Sequence, residues 1–270
     1  MADAQDSGIL ITMPGQASTP LQRAARILEI IAAAPEGLSL SDVAERVGLP
    51  MPSALRLLRN LVDIGFVATE GRRARYRLGG RLQRMFQMSI STERLRSICE
   101  PEIQALADRL DLTAYLARYA DERVDLCCAF MPREPARTSV HPGQNFPINA
   151  TAVGRILFAH QPDDVIARAI AQPMRKFRPR TPTKPADVRR ALTEARAQGY
   201  ALCDDELDEA TLAVAVPIET GDAGVVFSLG LLGLRDAFVE TLSIANAVAL
   251  LKEIAGRLGP QLASLGNGRA

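Results

Sequence analysis

Hydrophobic residues recur with a helical period three times near the start of the chain. Residues 1 to 18 come first; they are polar and aperiodic and read as a flexible arm. Thr19-Pro20 then supplies a capping hydroxyl followed by proline at the first helical position. Behind it Leu21, Ala24, Ala25 and Leu28 fall at i, i+3, i+4 and i+7, one stripe of a helix that Pro35-Glu36-Gly37 closes. Ser39, with Asp42 three residues on, predicts a capping box for a second helix whose stripe is Leu40, Val43, Ala44 and Val47. Gly48-Leu49-Pro50 is a tight turn, and a third helix from Met51 to Asp63 carries Ala54, Leu57, Leu58 and Leu61. After Gly65 the period drops to two: Phe66–Thr69, a Glu70-Gly71-Arg72 turn and Ala74–Leu78 form a hairpin. Three short helices and a hairpin describe a winged helix-turn-helix.

The remainder alternates between the two periods. A helix from Arg81 to Ser97 joins the modules, and Pro101–Leu110 continues as helix. Strand-like runs at Leu112–Tyr119, Val124–Met131 and Thr138–His141 precede helices at Thr151–His160 and Ala186–Gln198. Strands at Leu212–Ile218 and Val225–Leu232 and a closing helix from Asp236 to Leu258 complete the pattern. Strands separated by loops as often as by helices predict an α+β domain, an antiparallel sheet covered by helices. The Pro/Arg-rich run Pro173–Pro185 reads as a surface loop. The organisation expected is an arm (1–18), a winged helix-turn-helix (19–80), a linker helix (81–97), a second domain (98–262) and a tail (263–270).

Charge separates the two halves. Between Thr19 and Arg84 there are 11 arginines against 6 acidic residues, whereas from Met85 onward 21 basic residues face 23 acidic ones. A basic module joined to a near-neutral one suits an anionic partner at one end only, and argues against nonspecific architectural DNA binding, which needs basic charge throughout. Aromatic residues are 4% of the chain and there is no Trp, which removes the stacking platforms of a single-strand binder. No apolar run reaches membrane-spanning length, and the acidic N-terminus does not read as a signal peptide. Cys99, Cys127, Cys128 and Cys203 have no metal spacing and read as reduced thiols of a cytoplasmic protein. Adjacent Cys127 and Cys128 should point to opposite faces of a strand, so that at most one is buried. The acidic run Asp204, Asp205, Glu206, Asp208, Glu209 reads as a solvated or salt-bridging loop rather than a metal site, and His141 and His160 as structural or surface residues. No cofactor is expected.

On the third helix, 100° per residue puts Pro52, Arg56, Arg59 and Asp63 opposite the core stripe. Arg56 and Arg59 are thereby free to reach phosphates or guanine edges in a major groove, the competing reading being a solvated arginine face. Ser53 stands near the helix N-terminus, where a hydroxyl and free backbone N–H groups suit a phosphate. The hairpin arginines Arg72, Arg73 and Arg75 are expected on phosphates or in the minor groove, which would make binding fall steeply with salt.

The run TPLQRAARILEIIAAAPEGLSLSDVAERVGLPMPSALRLLRNLVDIGFV, with YRLGGRL after it, resembles the IclR family of bacterial transcription regulators. PGQNFPINATAVGRILFA, RTPTKPADVRRALTEARAQGYALCDDELDEATLAVAVPI and VVFSLGLLG are similar to successive segments of that family's C-terminal half, so the resemblance runs from about residue 20 to 260. It implies a DNA-binding winged helix, a linker helix and an effector-binding domain of GAF-like fold, assembled as dimers or tetramers on operator DNA. Carried over by position, it implies effector contacts at Thr138, Ala152, Val153, Cys203, Ala213, Gly230 and Leu232. N–H groups at Ala152 and Val153 could hold a carboxylate, the competing reading being a plain helix cap by Asn149. Family members that bind small hydrophilic acids carry Asp, Cys and Ser side chains where this chain has Cys203, Ala213, Gly230 and Leu232. Small residues leave room for a flat ring, and GYALCDDEL and TAVGR resemble the subgroup that senses aromatic acids. The alternative, a hydrolase with an accessory DNA-binding-like domain, would need a nucleophile elbow, a metal-spaced His pair or a phosphate loop, and the sequence contains none.

Overall fold

The computed structural model describes residues 19–71, 74–131 and 146–266. The chain divides between Leu78 and Gly79 into two compact units.

The first unit is built on local signals that work as the sequence suggests. Helix α1 (Pro20–Ala32) is capped by Thr19 in a capping box with Gln22, and α2 (Leu40–Val47) by Ser39 in a box with Asp42. Gly48 ends α2 in the left-handed region at φ 69°, a conformation glycine adopts without cost, and turns the chain into α3 (Met51–Asp63). Strands β1 (Val67–Glu70) and β2 (Arg75–Leu78) pair antiparallel, Val67 opposite Leu78, and Leu38 adds a bridge to Tyr76. Ile27, Ile31, Val43, Leu58, Leu61, Val67 and Tyr76 form one core.

The stripe expected on α1 is corrected. Leu21 is 80% exposed and Ala25 is exposed, while Ile27, Ile30 and Ile31 are buried with Ala24 and Leu28 partly so. The spacing holds, but its phase lies one turn later than expected. Facing the isoleucines inward buries more apolar surface than facing alanines inward, and it leaves the first turn of α1 outside the core.

The second unit contains α4 (Gly80–Ser89), α5 (Thr92–Leu110), β3 (Thr113–Ala120), β4 (Arg123–Phe130), α6 (Ala152–Ala159), α7 (Asp163–Ala171) and α8 (Pro185–Gln198). It continues with β5 (Ala201–Asp204), β6 (Thr211–Glu219), β7 (Val225–Leu234), α9 (Arg235–Thr241) and α10 (Ile244–Gly266). The five strands are ordered β4-β3-β7-β6-β5, every neighbour antiparallel. Residues of α5 and α10 share a core with one face of the sheet, and those of α6, α7 and α8 share a core with the other. This is the α+β architecture expected. Among the described residues no helix is long and apolar enough to cross a membrane.

Several boundaries differ from the sequence reading. The linker helix breaks at Ile90, which is extended (φ −64°, ψ 130°), and Ser91 caps a new helix that runs through Pro101. The closing helix breaks likewise at extended Leu242. Strand β5 and helix α7 are additions to the expected elements, and the strand expected at 138–141 lies outside the described residues.

Cys127 and Cys128 are both buried, against expectation, in the core on the α5 face. Leu116 pairs with Cys128 and Ala117 with Leu126, so Cys127 is the extra residue of a β-bulge. A bulge interrupts the alternation of faces and lets two consecutive side chains enter one core.

The capping boxes carry a prediction. Ser39 Oγ accepts from Asp42 N at 3.2 Å and donates to the Asp42 carboxylate at 2.7 Å, and that carboxylate also accepts from Ser39 N at 3.0 Å; the Ser39 hydroxyl first, and its N–H second, hold the carboxyl pKa below the ordinary value. Ser39→Ala should destabilise the chain by about 1 kcal/mol in chemical denaturation. A depressed carboxyl pKa stabilises above the unfolded-state value and loses that contribution as pH falls through the folded one. The wild-type advantage over Ser39→Ala should therefore shrink in acid, and an advantage that stays constant into strong acid would refute the box.

Candidate functional site

In the first unit α3 presents a polar face away from the core. Pro52, Arg56, Arg59 and Asp63 are exposed, Ser53 is half-buried in the first turn, and Ala54, Leu58 and Leu61 are buried on the opposite side. Neither Arg56 nor Arg59 forms an ion pair among the described residues. Helix α3 follows Pro50 without a side-chain cap; Pro52 carries no N–H and Ser53 N donates to Pro50 O at 2.9 Å, so the helix offers an anion its dipole more than open N–H groups. Arg75 has a structural role. Its Nη1 donates to Gly37 O at 2.9 Å and Glu36 O at 3.3 Å, fastening the turn between α1 and α2. Arg77 pairs with Glu70 at 2.8 Å. Arg72 and Arg73 lie outside the described residues.

In the second unit three of the seven expected effector positions fall on one row across the sheet. Cys203 pairs with Ala213, Ala213 with Leu232, and Leu232 with Thr113. The next row toward the same face runs Ala201, Ala215, Gly230 and Tyr115. Both rows look toward α6, where Ala152 and Val153 are fully buried. The Cys203 thiol donates to Ala150 O at 2.8 Å and so ties the sheet to the turn that enters α6. Thr138 lies outside the described residues.

The helix cap is Thr151, not Asn149. Thr151 Oγ1 accepts from Gly154 N at 3.1 Å and donates to Pro147 O at 2.9 Å. Asn149 is buried and its amide nitrogen donates outward, to Arg175 O at 3.0 Å and Pro182 O at 2.9 Å. A Cβ on Gly154 would stand 2.5 Å from Thr151 Oγ1 and 2.8 Å from Pro147 O, so only glycine lets this turn close.

Gly230 makes room for a side chain of the protein itself. A Cβ there would fall 2.6 Å from Tyr115 Cζ, because the Tyr115 ring lies across the strand over the glycine. Tyr115 in turn stacks on Phe146, centroids 6.4 Å apart at 15°. Burial raises the Tyr115 hydroxyl pKa and pushes the Cys203 thiol up to about 12, so both stay protonated and Cys203 is a poor nucleophile. Thr113, on the Cys203 row and 1% exposed, has an Oγ1 with no hydrogen-bond partner among the described residues.

One buried charge lies behind this region. Arg155, 7% exposed, is bidentate to Glu206 and donates to Leu202 O and Asn149 O, both at 2.8 Å. Three more residues of the acidic run are salt-bridged: Asp205 and Glu209 to Arg178, and Asp204 to Arg180 and Arg235. Together with the Asn149 bonds, these pairs pin the Pro/Arg-rich loop. A separate cleft of about 1060 Å3 opens beside the β3–β4 hairpin, among Arg118, Glu122, Leu126, Ile148, Phe158 and Arg168. None of the described effector positions lines it.

Sequence reasoning does not reach Tyr115, Thr113 or the Arg155–Glu206 pair. Alternation on β3 places Thr113 and Tyr115 on one face, but nothing local tells which. Arg155, the one charge in the apolar run TAVGRILFA, is the signal for a buried pair.

A basic helix-turn-helix unit followed by a helix-covered antiparallel sheet is the arrangement of a ligand-responsive DNA-binding regulator. Two family models match: "IclR helix-turn-helix domain" over residues 20–71 and "Bacterial transcriptional regulator IclR C-terminal" over residues 87–258. An HTH-type transcriptional regulator of Mycobacterium tuberculosis is 33% identical over 196 residues, 72% of this chain and 74% of that protein. The transcriptional regulator TtgV of Pseudomonas putida is 29% identical over 200 residues, 74% and 76% of the two chains. An IclR homolog of Microbacterium hydrocarbonoxydans, solved with 4-hydroxybenzoate, shares the fold with a TM-score of 0.57 and 23% identity, covering 93% of this chain and all of that one. The chain belongs to the IclR family of transcriptional regulators, with a helix-turn-helix DNA-binding domain and a C-terminal effector-binding domain.

The Gly230–Tyr115 contact is testable by denaturant unfolding. Gly230→Ala should cost about 1–3 kcal/mol, since the methyl must displace a packed ring. Tyr115→Leu in the same background should recover part of that loss, giving a non-additive cycle. Strict additivity would mean that the ring does not lie over the glycine.

Proposed function

We propose that this regulator binds operator DNA through Ser53, Arg56 and Arg59 of α3, with Arg72, Arg73 and Arg75 of the hairpin contributing phosphate contacts. A small aromatic acid, bound among Thr138, Ala152, Val153, Cys203, Ala213, Gly230 and Leu232, biases that binding. The observation that carries the DNA reading is the pair of exposed arginines on the outer face of α3, without ion pairs among the described residues. Residues 19–80 act as the DNA module and 98–262 as the sensor, with the arm (1–18) and tail (263–270) outside both. The expected linker 81–97 works as two pieces hinged at Ile90. Arg75, already fastened to the α1–α2 turn, orders the wing and reaches phosphate only with the nitrogens that remain. The aromatic reading is supported by the Tyr115–Phe146 stack and by the acid bound to the Microbacterium relative. N–H groups at the start of α6 suit its carboxylate. The chain acts in the cytoplasm and performs no catalysis; its relatives are transcriptional regulators and its Cys203 thiol is held protonated.

Assembly as a homodimer or homotetramer is supported by α4. Met85 and Phe86 are 50% and 43% exposed on a helix whose other face is docked. Phe86→Glu should shift sedimentation toward the monomer, and an unchanged profile would remove α4 from the interface.

The reading is tested by fluorescence anisotropy on duplex from upstream of the gene, against random competitor, at two salt concentrations. Arg56→Ala and Arg59→Ala should each cost about 1–3 kcal/mol of affinity, and loss of a phosphate contact lowers the salt slope by about 1. Adding 4-hydroxybenzoate or other aromatic acids should shift the wild-type curve. Wild-type-like binding by both variants would overturn the α3 assignment, and indifference to the whole panel the aromatic one.

A further inference from the structure

Helix α6 runs through the second unit with a different attachment at each end. Its first turn faces the Cys203 row through the Ala150 carbonyl. Just past its last turn stands Gln161, 3% exposed, whose Nε2 donates back to Leu157 O at 2.6 Å and satisfies a carbonyl the helix leaves open. The Gln161 Oε1 is taken by Arg84 Nη2, from α4. Arg84 also lies over the Tyr119 ring, 5.5 Å from its centroid, and Tyr119 meets Phe158 of α6 edge-on at 5.3 Å. Two routes thus join α4 to the same end of α6, one polar and one aromatic.

Helix α4 also packs against α10 and against the turn between β6 and β7. Arg84 Nη1 donates to Ala223 O at 3.5 Å, and the Thr220 hydroxyl lies 2.9 Å from Gln87 Oε1. A Cβ on Gly80 would run into the Asp222 carbonyl, so the start of α4 lies flush against that turn. Arg84 touches both supports, the turn through Nη1 and the end of α6 through Nη2.

We infer that α6 is a strut between the effector site and the linker, and that Arg84 is the positioning residue through which α4 follows the state of that strut. The inference rests on the reading of the Cys203 row and the α6 N-terminus as the effector site. Electrostatics favours it. Eight residues span about 12 Å, with the positive end of the helix at the effector row and the negative end at Arg84. An anion at the first end and the guanidinium at the second both complement the helix, so each stabilises an intact α6. All eight residues of α6 are buried, so a shift at one end has little room to dissipate. A helix this short is stable only with its ends secured.

The test is amide hydrogen exchange on the full-length protein, resolved to α4 and α6. Thr151→Val removes the α6 cap, and Cys203→Ala, a milder change, removes the bond to Ala150 O should the first variant fold poorly. Either should speed exchange in α4 by at least about fivefold, a local-opening effect. In an Arg84→Met background the same substitutions should leave α4 exchange unchanged, while Arg84→Lys should transmit weakly because an ammonium lacks the fork. A perturbation that loosens α6 and leaves wild-type α4 untouched would overturn the strut. One that reaches α4 equally with Met at position 84 would overturn the role of Arg84. Neither DNA nor an acid enters the measurement. Failure of operator or acid binding would therefore be seen in anisotropy alone and would leave the exchange result standing.

Discussion

The buried ion pair between Arg155 and Glu206 is the constraint on which the effector-binding unit turns. Arg155 is the charged residue of a helix whose eight side chains are all buried, and an unpaired guanidinium there would be strongly destabilising. The two Nη nitrogens of the fork are answered by both Glu206 oxygens, the Leu202 carbonyl on β5 and the Asn149 carbonyl ahead of α6. Meeting that demand fixes where β5 must lie against α6. It also holds the loop after β5, where Asp205 and Ala210 take positive φ of 56° and 53° without being glycine. Such residues persist where their surroundings over-determine them. Here Asp205 N bonds Thr211 O at 2.9 Å and Ala210 N bonds the Asp205 carboxylate at 3.0 Å. The pair is better understood as enforcing one geometry than as a large source of stability, because two buried ions sacrifice hydration to meet.

Legibility in the sequence follows the range of the interactions. The DNA-binding module is made of local signals: two helix caps, a left-handed glycine and a hairpin of period two. Each of these stands in the sequence as it stands in the structure. The phase of α1 is different, because alanines and isoleucines both satisfy the i, i+3, i+4 spacing and only the partner surface chooses between them. In the second unit the strands that alternate are legible, whereas the four-residue β5 is too short to show a period. The bulge at Cys127 and the ring over Gly230 depend on neighbouring strands, and no local pattern encodes them. Family resemblance singles out Cys203, Ala213 and Leu232, which share one row, yet it does not show that Gly230 makes room for Tyr115. Nor does it point to Thr113, whose significance lies in a hydroxyl without a partner among the described residues.

The two units handle charge in opposite ways, which suits their different partners. On α3 the arginines are exposed and free of ion pairs among the described residues, so they keep full hydration and lose little when a phosphate replaces water. In the effector-binding unit charged groups near α6 are consumed by the fold: Arg155 by Glu206, Arg178 by Asp205 and Glu209. On the proposed assignment of the site, a ligand there finds neither of these cations free and is recognised by amide groups, hydroxyls and ring faces. That favours a flat, weakly hydrated acid over a small, strongly hydrated one, whose desolvation those groups would offset poorly.

A regulator also needs its two chemistries to communicate, and chain connectivity restricts where that can happen. Helix α4 begins two residues after the wing strand β2 ends, and nothing flexible such as a glycine-serine tract follows it before the effector-binding sheet. The break at Ile90 is the first point at which α4 can change direction, and Arg118 holds it there by donating to Ile90 O at 2.6 Å. Strand β3 therefore restrains the linker at Ile90, while Arg84 samples α6 about one and a half turns earlier. A helix pinned at one end and gripped near the other can respond to a small shift at the grip by pivoting about the pin. Packed elements of this kind move between discrete arrangements instead of deforming smoothly, which is what a two-state regulator requires.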